Sequence, residues 1–332
     1  MLEPRPSPNP GKVRSGPDRE NRPEIRVLLA APRGFCAGVR RAIDAVRDAL
    51  AKHGAPVYVR RPIVHNLEVV RSLEAEGAIF VQELDEVPPG AVVIFSAHGV
   101  SPDIAEDARR RDHIAYDAVC PLVSKVHREV ERHQAAGRQI VLVGHEGHPE
   151  IEGSLGHVSS VDAVVVNSAE EVRRLPLERA KPTAYAVQTT YSVDEAQEIV
   201  EALRERFADL VGPPSSDICY ATTNRQAAVR QIAEQADAVL VAGEHFSSNA
   251  NRLAEVAGMV CPQVQLVAGV DEIDWASLPL GGTIGLTAAA STPETTVQAI
   301  VAALAVRYRL ILEEVEAMRE TTVFSRLKLP CE

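Results

Sequence analysis

Three cysteines, Cys36, Cys120 and Cys219, each stand just before an apolar-periodic stretch. Val39, Ala42, Ile43, Val46 and Leu50 follow the first, Val123, Val126 and Val130 the second, and Val229, Ile232, Ala233 and Ala236 the third, all at helical intervals. Residues 25–31 and 114–119 read as buried strands leading into the first two. Those sulfurs then fall at strand-to-helix junctions, where a helix N-terminus favours a thiolate. Residues 215–218 are too short a run to assign as a strand. Three thiolates without a fourth suitably spaced cysteine would leave an iron–sulfur cluster one protein ligand short, and the open iron is a Lewis acid. The same three would serve a [3Fe–4S] centre. Structural zinc usually draws its ligands in close pairs, and the chain has no Cys-x-x-Cys. The plain alternative makes each cysteine a small buried hydrophobe; three matching junctions favour a metal. Cys261 reads as packing within residues 260–267, and Cys331 as a tail residue without a partner.

A second set of polar residues follows β-like runs. His65, His98 and His148 sit in loops beside glycine, proline or asparagine. Ser247, Ser248, Asn249 and Ser291 stand where helices begin, and Ser291 has Glu294 at capping-box spacing. Such helix ends, with hydroxyl, amide and imidazole donors, can bind phosphate without a Walker-type loop, which the chain lacks along with any Gly-x-Gly-x-x-Gly fingerprint. Glu150 follows His148-Pro149, and near an open iron its carboxyl suits proton delivery, with Thr189 of Gln188-Thr189-Thr190 as a hydroxyl relay. His145-Glu146-Gly147-His148 is one residue short of a zincin motif and carries glycine, so the metalloprotease reading is rejected.

These residues need a scaffold. From Arg26 onward short β-rich runs (92–96, 140–143, 239–242, 283–287) alternate with helical stretches, one opening on Ser101-Pro102. This predicts an α/β protein of three similar lobes with mostly parallel sheets arranged around a central site. Ligands of such sheets bind beyond the carboxyl ends of the strands, where all the polar loops fall. The expected division is a Pro-rich disordered leader (1–24), lobe 1 with Cys36 (25–119), lobe 2 with Cys120 (120–216), lobe 3 with Cys219 (217–310) and a C-terminal tail (311–332). The 332 residues, 45% hydrophobic, are ample for several cores. The net charge of −11 argues against nucleic acid and anionic membrane as partners. No window is long and apolar enough to span a bilayer. The leader holds six prolines, four arginines and four acids, unlike a secretory or transit peptide. Five cysteines in a chain without a secretory pattern point to a reducing cytoplasm.

Pro32-Arg33-Gly34-Phe35-Cys36-Ala37-Gly38-Val39 and Phe95-Ser96-Ala97-His98-Gly99-Val100 resemble signatures of the 4-hydroxy-3-methylbut-2-enyl diphosphate reductases, the IspH/LytB family. The resemblance continues, in the family's order, through Val64-His65-Asn66, Cys120-Pro121-Leu122-Val123, Gly147-His148-Pro149-Glu150, Gln188-Thr189-Thr190, Asp217 to Arg225 and Ser247-Ser248-Asn249, over roughly residues 25–310. It implies a [4Fe–4S] cluster held by Cys36, Cys120 and Cys219, with one iron open to the substrate hydroxyl. The implied reaction is reductive dehydroxylation of the allylic diphosphate to isopentenyl and dimethylallyl diphosphate plus water, the last step of the methylerythritol phosphate route. It also implies that His65, His98, Ser247, Ser248, Asn249 and Ser291 hold the diphosphate, that His148, Glu150 and Thr189 serve the hydroxyl end and proton transfer, and that ferredoxin or flavodoxin supplies electrons. Two departures stand out. Where the family often has Gly-Ser-Lys-Asn or similar before Ser247, this chain has Gly243-Glu244-His245-Phe246, which loses a cation and adds a carboxylate, and Ala289 replaces a frequent glycine. The alternatives are a divergent paralogue acting as another open-iron [4Fe–4S] enzyme, or a non-catalytic iron–sulfur sensor.

Overall fold

The computed structural model describes residues 22–159 and 161–329. Most of the proline-rich leader, and Cys331, lie outside the described residues. Three wholly parallel sheets organise the chain. The first contains β2 (Val57–Arg60), β3 (Ala78–Val81), β4 (Val92–Phe95) and β5 (Ile114–Asp117) in the order β3-β2-β4-β5. The second contains β6 (Gln139–Val143), β7 (Ala163–Val166), β8 (Thr183–Val187) and β9 (Leu210–Val211) in the order β7-β6-β8-β9. The third runs β11-β10-β12-β1-β13, from β1 (Glu24–Ala31), β10 (Ala238–Ala242), β11 (Val264–Val267), β12 (Gly282–Ala288) and β13 (Arg309–Glu316). The central strands β4, β6 and β10 are buried at every residue, as strands covered on both faces must be, which explains their unbroken apolar runs.

Each sheet repeats one plan. The chain lays down a central strand, adds a neighbour on one side, then crosses to the other. The strand order therefore reverses between β2 and β4, between β6 and β8, and between β10 and β12. Reversal opens a crevice at the strands' carboxyl ends. The cysteines follow the strand next beyond each crevice: Cys120 after β5, Cys219 after β9 and Cys36 after β1.

The sheets gather β2–β5, β6–β9 and β10–β12 within residues 25–119, 120–216 and 217–310, and β1 and β13, lying wholly or mostly outside the last of these ranges, join the third sheet. The first strand leaves its sequence neighbours and pairs with β12 and β13, Val27 opposite both Ile284 and Leu312. The division at residue 310 likewise cuts β13, an edge strand of the third sheet. The residues after each cysteine pack into the next core: Val39, Ala42 and Ile43 with Val57, Val126 and Val130 with Ile140, and Val229 and Ala233 with Val239. Parallel pairing joins segments that are far apart in sequence, and a local apolar pattern carries no sign of which sheet a strand enters.

The helices seat the site. α1 (Ala37–His53), α4 (Pro121–Ala135) and α8 (Tyr220–Ala233) begin immediately after Cys36, Cys120 and Cys219, which are their N-cap residues. α2 (Leu67–Glu76) starts behind His65-Asn66, α3 (Pro102–Arg110) behind Ser101, α5 (Pro149–Gly156) behind His148 and α9 (Ser248–Gly258) behind Ser247. α6 (Ala169–Arg174) and α7 (Val193–Arg206) cover the second sheet, and α10 (Glu294–Arg307) the third. Beyond β13 the tail returns along α1, with Leu327 and Leu329 against the first core and Arg326 paired with Asp48 at 2.9 Å.

Candidate active site at the meeting of three sheets

The three crevices open onto one cavity of about 100 Å³. All twelve residues singled out from the sequence line it: the three cysteines, His65, His98, His148, Glu150, Thr189, Ser247, Ser248, Asn249 and Ser291. The first sheet supplies His65 and His98, the second His148, Glu150 and Thr189, and the third the two serines with Asn249, and Ser291.

One backbone contact recurs three times. The N–H of Cys120 donates to Ala97 O at 2.9 Å, that of Cys219 to Thr189 O at 3.0 Å and that of Cys36 to Ala290 O at 3.3 Å. Each thiol is thereby tied to the loop that carries His98, Thr189 or Ser291. The sulfurs also cap their helices: Cys36 Sγ accepts from Val39 N, and Cys219 Sγ from Thr222 N, both at 3.4 Å. A Cβ at Gly38 would lie 2.7 Å from Cys120 Sγ and 3.8 Å from Cys36 Sγ, so only glycine lets α1 start this close to the second thiol.

The expectation that helix ends favour thiolates is corrected here. Burial pushes the Cys120 thiol up to about 12 and the Cys219 thiol up to about 11, and neighbouring thiols add to the rise. Desolvation outweighs the partial charge of a helix terminus, so without metal these sulfurs are protonated. All three sulfurs belong to residues that line the one cavity. Among the described residues no three His, Cys, Asp or Glu side chains are arranged to hold a single metal ion. A polynuclear cluster takes each thiolate on a separate iron and fits sulfurs spread around a wider space. Cys261 is apart from them, buried with Sγ near Ala236 O and Gln263 O, as packing.

The imidazoles of His65, His98 and His148 form a cluster, with ring centroids 4.2 Å (65–98), 5.4 Å (65–148) and 5.8 Å (98–148) apart. Burial lowers His65 to about 4 and His148 to about 3; burial, then the neighbouring histidines and Arg61, hold His98 well below its ordinary value. All three are neutral near pH 7. His148 Nδ1 accepts from Glu150 N at 3.2 Å, which leaves the proton on Nε2. That Nε2, His65 Nε2 and Asn249 Nδ2 are buried without a protein partner. Asn249 Oδ1 is engaged by Ala290 N at 2.9 Å, so the amide nitrogen is free to donate. Unpaired buried polar atoms of this kind mark a ligand's place.

Glu150 is 2% exposed, and burial raises its carboxyl to about 7 against the opposing effect of Thr189. Thr189 donates its N–H to Oε1 at 2.6 Å and its hydroxyl to Oε2 at 2.8 Å. Ser247 caps α9 through Ala250 N, as its position suggested. Ser291 does not cap: α10 starts after Pro293 without a side-chain cap, and Ser291 Oγ donates to His65 O at 3.0 Å. The capping-box spacing is real, but the hydroxyl is drawn across to the first sheet.

Other contributors carry no role in the sequence reading. Gln188 Oε1 accepts from His145 N at 2.9 Å while its Nε2 reaches Thr190 Oγ1 at 2.7 Å and Ser248 Oγ at 3.4 Å, joining two of the loops. Thr222 Oγ1 lies 3.2 Å from Cys219 Sγ. Arg225, wholly buried, donates to Gly34 O at 2.7 Å and 3.0 Å, to Ala221 O at 3.0 Å and to Glu320 at 2.9 Å. It locks the Cys36 loop onto the Cys219 helix. The signal was an arginine within an otherwise apolar helix face, Ala221, Ala228, Val229 and Ile232.

A family model described as LytB protein matches residues 27–305. The chain belongs to the LytB family. It is 51% identical over 306 residues to the 4-hydroxy-3-methylbut-2-enyl diphosphate reductase of Beijerinckia indica, covering 92% of this chain and 96% of that one. The protein of the same name from Paracoccus denitrificans is 50% identical over 306 residues, covering 92% and 97%. Among solved structures, the E-1-hydroxy-2-methyl-but-2-enyl-4-diphosphate reductase of Plasmodium falciparum superposes with a TM-score of 0.86 at 37% identity, covering 91% of this chain and 95% of that one. A second LytB-like structure, an (E)-4-hydroxy-3-methyl-but-2-enyl diphosphate reductase described as the terminal enzyme of the non-mevalonate pathway, gives 0.61 at 27% identity over 84% and 99%.

Proposed function

We propose that this LytB protein is the reductase that removes the hydroxyl of (E)-4-hydroxy-3-methylbut-2-enyl diphosphate to give isopentenyl and dimethylallyl diphosphate. The observation that carries the reading is the convergence of three thiols, a carboxyl near neutrality and unpaired donors on one cavity. Family membership and the relatives' shared name support it. The reaction takes two electrons and two protons and releases water. The electrons come from outside the chain, from a one-electron carrier such as ferredoxin or flavodoxin. No helix among the described residues is long and apolar enough to cross a membrane, and the proposed setting is the cytoplasm.

Cys36, Cys120 and Cys219 would hold a [4Fe–4S] cluster, which when bound supplies an open Lewis-acidic iron and a store of electrons. Ser247, Ser248, Asn249, Ser291, His65 and His98 would hold the diphosphate. Their donors are neutral, which lets an acidic protein bind an anion through hydrogen bonds and helix ends without a basic exterior. His148, with its proton on Nε2, points a donor into the cavity for the hydroxyl end. Glu150, at about 7, is half-protonated at neutral pH; in its protonated form it can donate to the Thr189 hydroxyl oxygen, 2.8 Å from Oε2, while that hydroxyl passes its own proton to the departing hydroxyl. The apolar wall of Val39, Val64, Leu122 and Val123 limits water around the allyl group.

Anaerobic turnover of the allylic diphosphate by iron–sulfur-reconstituted protein, with an artificial one-electron donor, tests this. Both isopentenyl products are expected; none from protein with full iron content would point to the sensor reading.

A further inference from the structure

The segment Gly243-Glu244-His245-Phe246 joins β10 to the Ser247 cap of α9. A carboxylate so near a diphosphate loop should repel its ligand, yet Glu244 does not line the cavity. Its side chain is 8% exposed, and Oε1 accepts the backbone N–H of Leu67 at 2.9 Å. Leu67 is the first residue of α2, two positions after His65. The first turn of a helix leaves amides without partners; Asn66 Oδ1 takes Val69 N at 3.0 Å, and Glu244 takes Leu67 N from the third sheet. The positive end of α2 offsets the buried charge.

The same short stretch is held to the third sheet at other points. Ser291 donates to His65 O, Glu68 accepts the hydroxyls of Thr295 and Thr296 at 2.9 Å each, and the Phe246 ring meets the His65 ring edge-on at 5.8 Å. His65 itself has no protein partner at Nε2. Its direction is therefore set by its backbone and its walls.

We infer that Glu244 is a positioning residue for His65: its carboxylate anchors the start of α2 to the α9 loop and so fixes the imidazole that faces the ligand, with Phe246 as the side wall. This rests on the proposed role of His65 toward the diphosphate. A charged acceptor suits the task because its hydrogen bond to an amide is short and strong. The departure from the family's usual sequence then turns an unfavourable charge into a brace between two sheets.

The test uses the full-length, cluster-loaded protein, titrated calorimetrically with inorganic diphosphate and assayed for KM and kcat. Glu244→Ala should weaken diphosphate binding about tenfold and raise KM by a like factor, with kcat held within about twofold, since one charge-assisted bond is lost away from the reacting atoms. Glu244→Gln, whose amide oxygen can accept the same N–H, should recover most of the affinity. In a His65→Gln background the effect of Glu244→Ala should vanish. Wild-type affinity and KM in Glu244→Ala, or an undiminished effect in the His65→Gln background, would overturn the inference. Should Glu244→Ala fail to fold, Glu244→Asp, which keeps the charge but withdraws the acceptor by one methylene, carries the same comparison. A wild-type protein that neither binds inorganic diphosphate nor turns over would sink the functional reading, and this inference with it.

Discussion

Thr189 gives Glu150 two hydrogen bonds at once, its amide to Oε1 at 2.6 Å and its hydroxyl to Oε2 at 2.8 Å. Both favour the ionised carboxylate, and burial overrides them to leave the carboxyl at about 7. The acid is lost as pH rises through that value, so kcat should fall above about pH 7. Glu150→Gln should lower kcat by roughly 10²- to 10⁴-fold, with iron content and substrate affinity retained. Thr189→Val removes one bond to the ionised form, so the alkaline limb should move upward. A pH–rate profile checks both, and an unmoved limb in Thr189→Val would contradict the pairing.

Gly38→Ala should cost the cluster. Its new Cβ would lie 2.7 Å from Cys120 Sγ and 3.5 Å from Cys120 Cβ, so the second thiol must shift. Iron per protein after reconstitution should drop well below wild type, while circular dichroism stays native.

Cys36→Ser, Cys120→Ser and Cys219→Ser should each abolish iron retention and turnover. Cys261→Ser should keep both, at a stability cost of about 1 kcal/mol for a polar group among apolar neighbours. Iron loss in Cys261→Ser would mean that the ligand set is wrong.

The lowered histidines predict acid lability of the unliganded protein. Their folded-state values, about 4 for His65 and about 3 for His148, lie below the ordinary 6.5, so the unfolded chain binds protons first as pH falls. Their contribution to stability is fully present above 6.5 and is lost as pH falls toward the folded values. The melting temperature should decline from pH 6.5 to pH 4, and less steeply in His65→Gln than in wild type.

Glu320→Ala should destabilise by about 3 kcal/mol, because it leaves the guanidinium of Arg225 buried with carbonyls alone. Denaturant unfolding measures this, and a change under about 1 kcal/mol would show that the carbonyls suffice.

The parts of the site that a local pattern records were legible in the sequence. Cysteines before helical periods proved to be N-caps, and the polar residues after β-like runs reached the strands' carboxyl ends. What depends on distant segments was not. The sheet that β1 joins is decided by residues 282–288 and 309–316, and the Ser291 hydroxyl by a carbonyl 226 positions away. The protonation of Cys120 and Cys219 follows from burial that three sheets create together. Glu244 read as a liability because its partner, a backbone amide in another sheet, leaves no trace in side-chain type.

The pairing of β1 also orders events during synthesis. The ribosome makes Cys36 and its strand early, but their neighbours β12 and β13 are among the last segments to emerge. Until those strands emerge, the growing chain can close its first two sheets, with Cys120 and Cys219 behind them, while β1 lacks both its neighbours. The three thiols therefore meet only after the strand that leads into Cys36 has found partners about 250 residues further along, so the cavity is the last part of the fold to close.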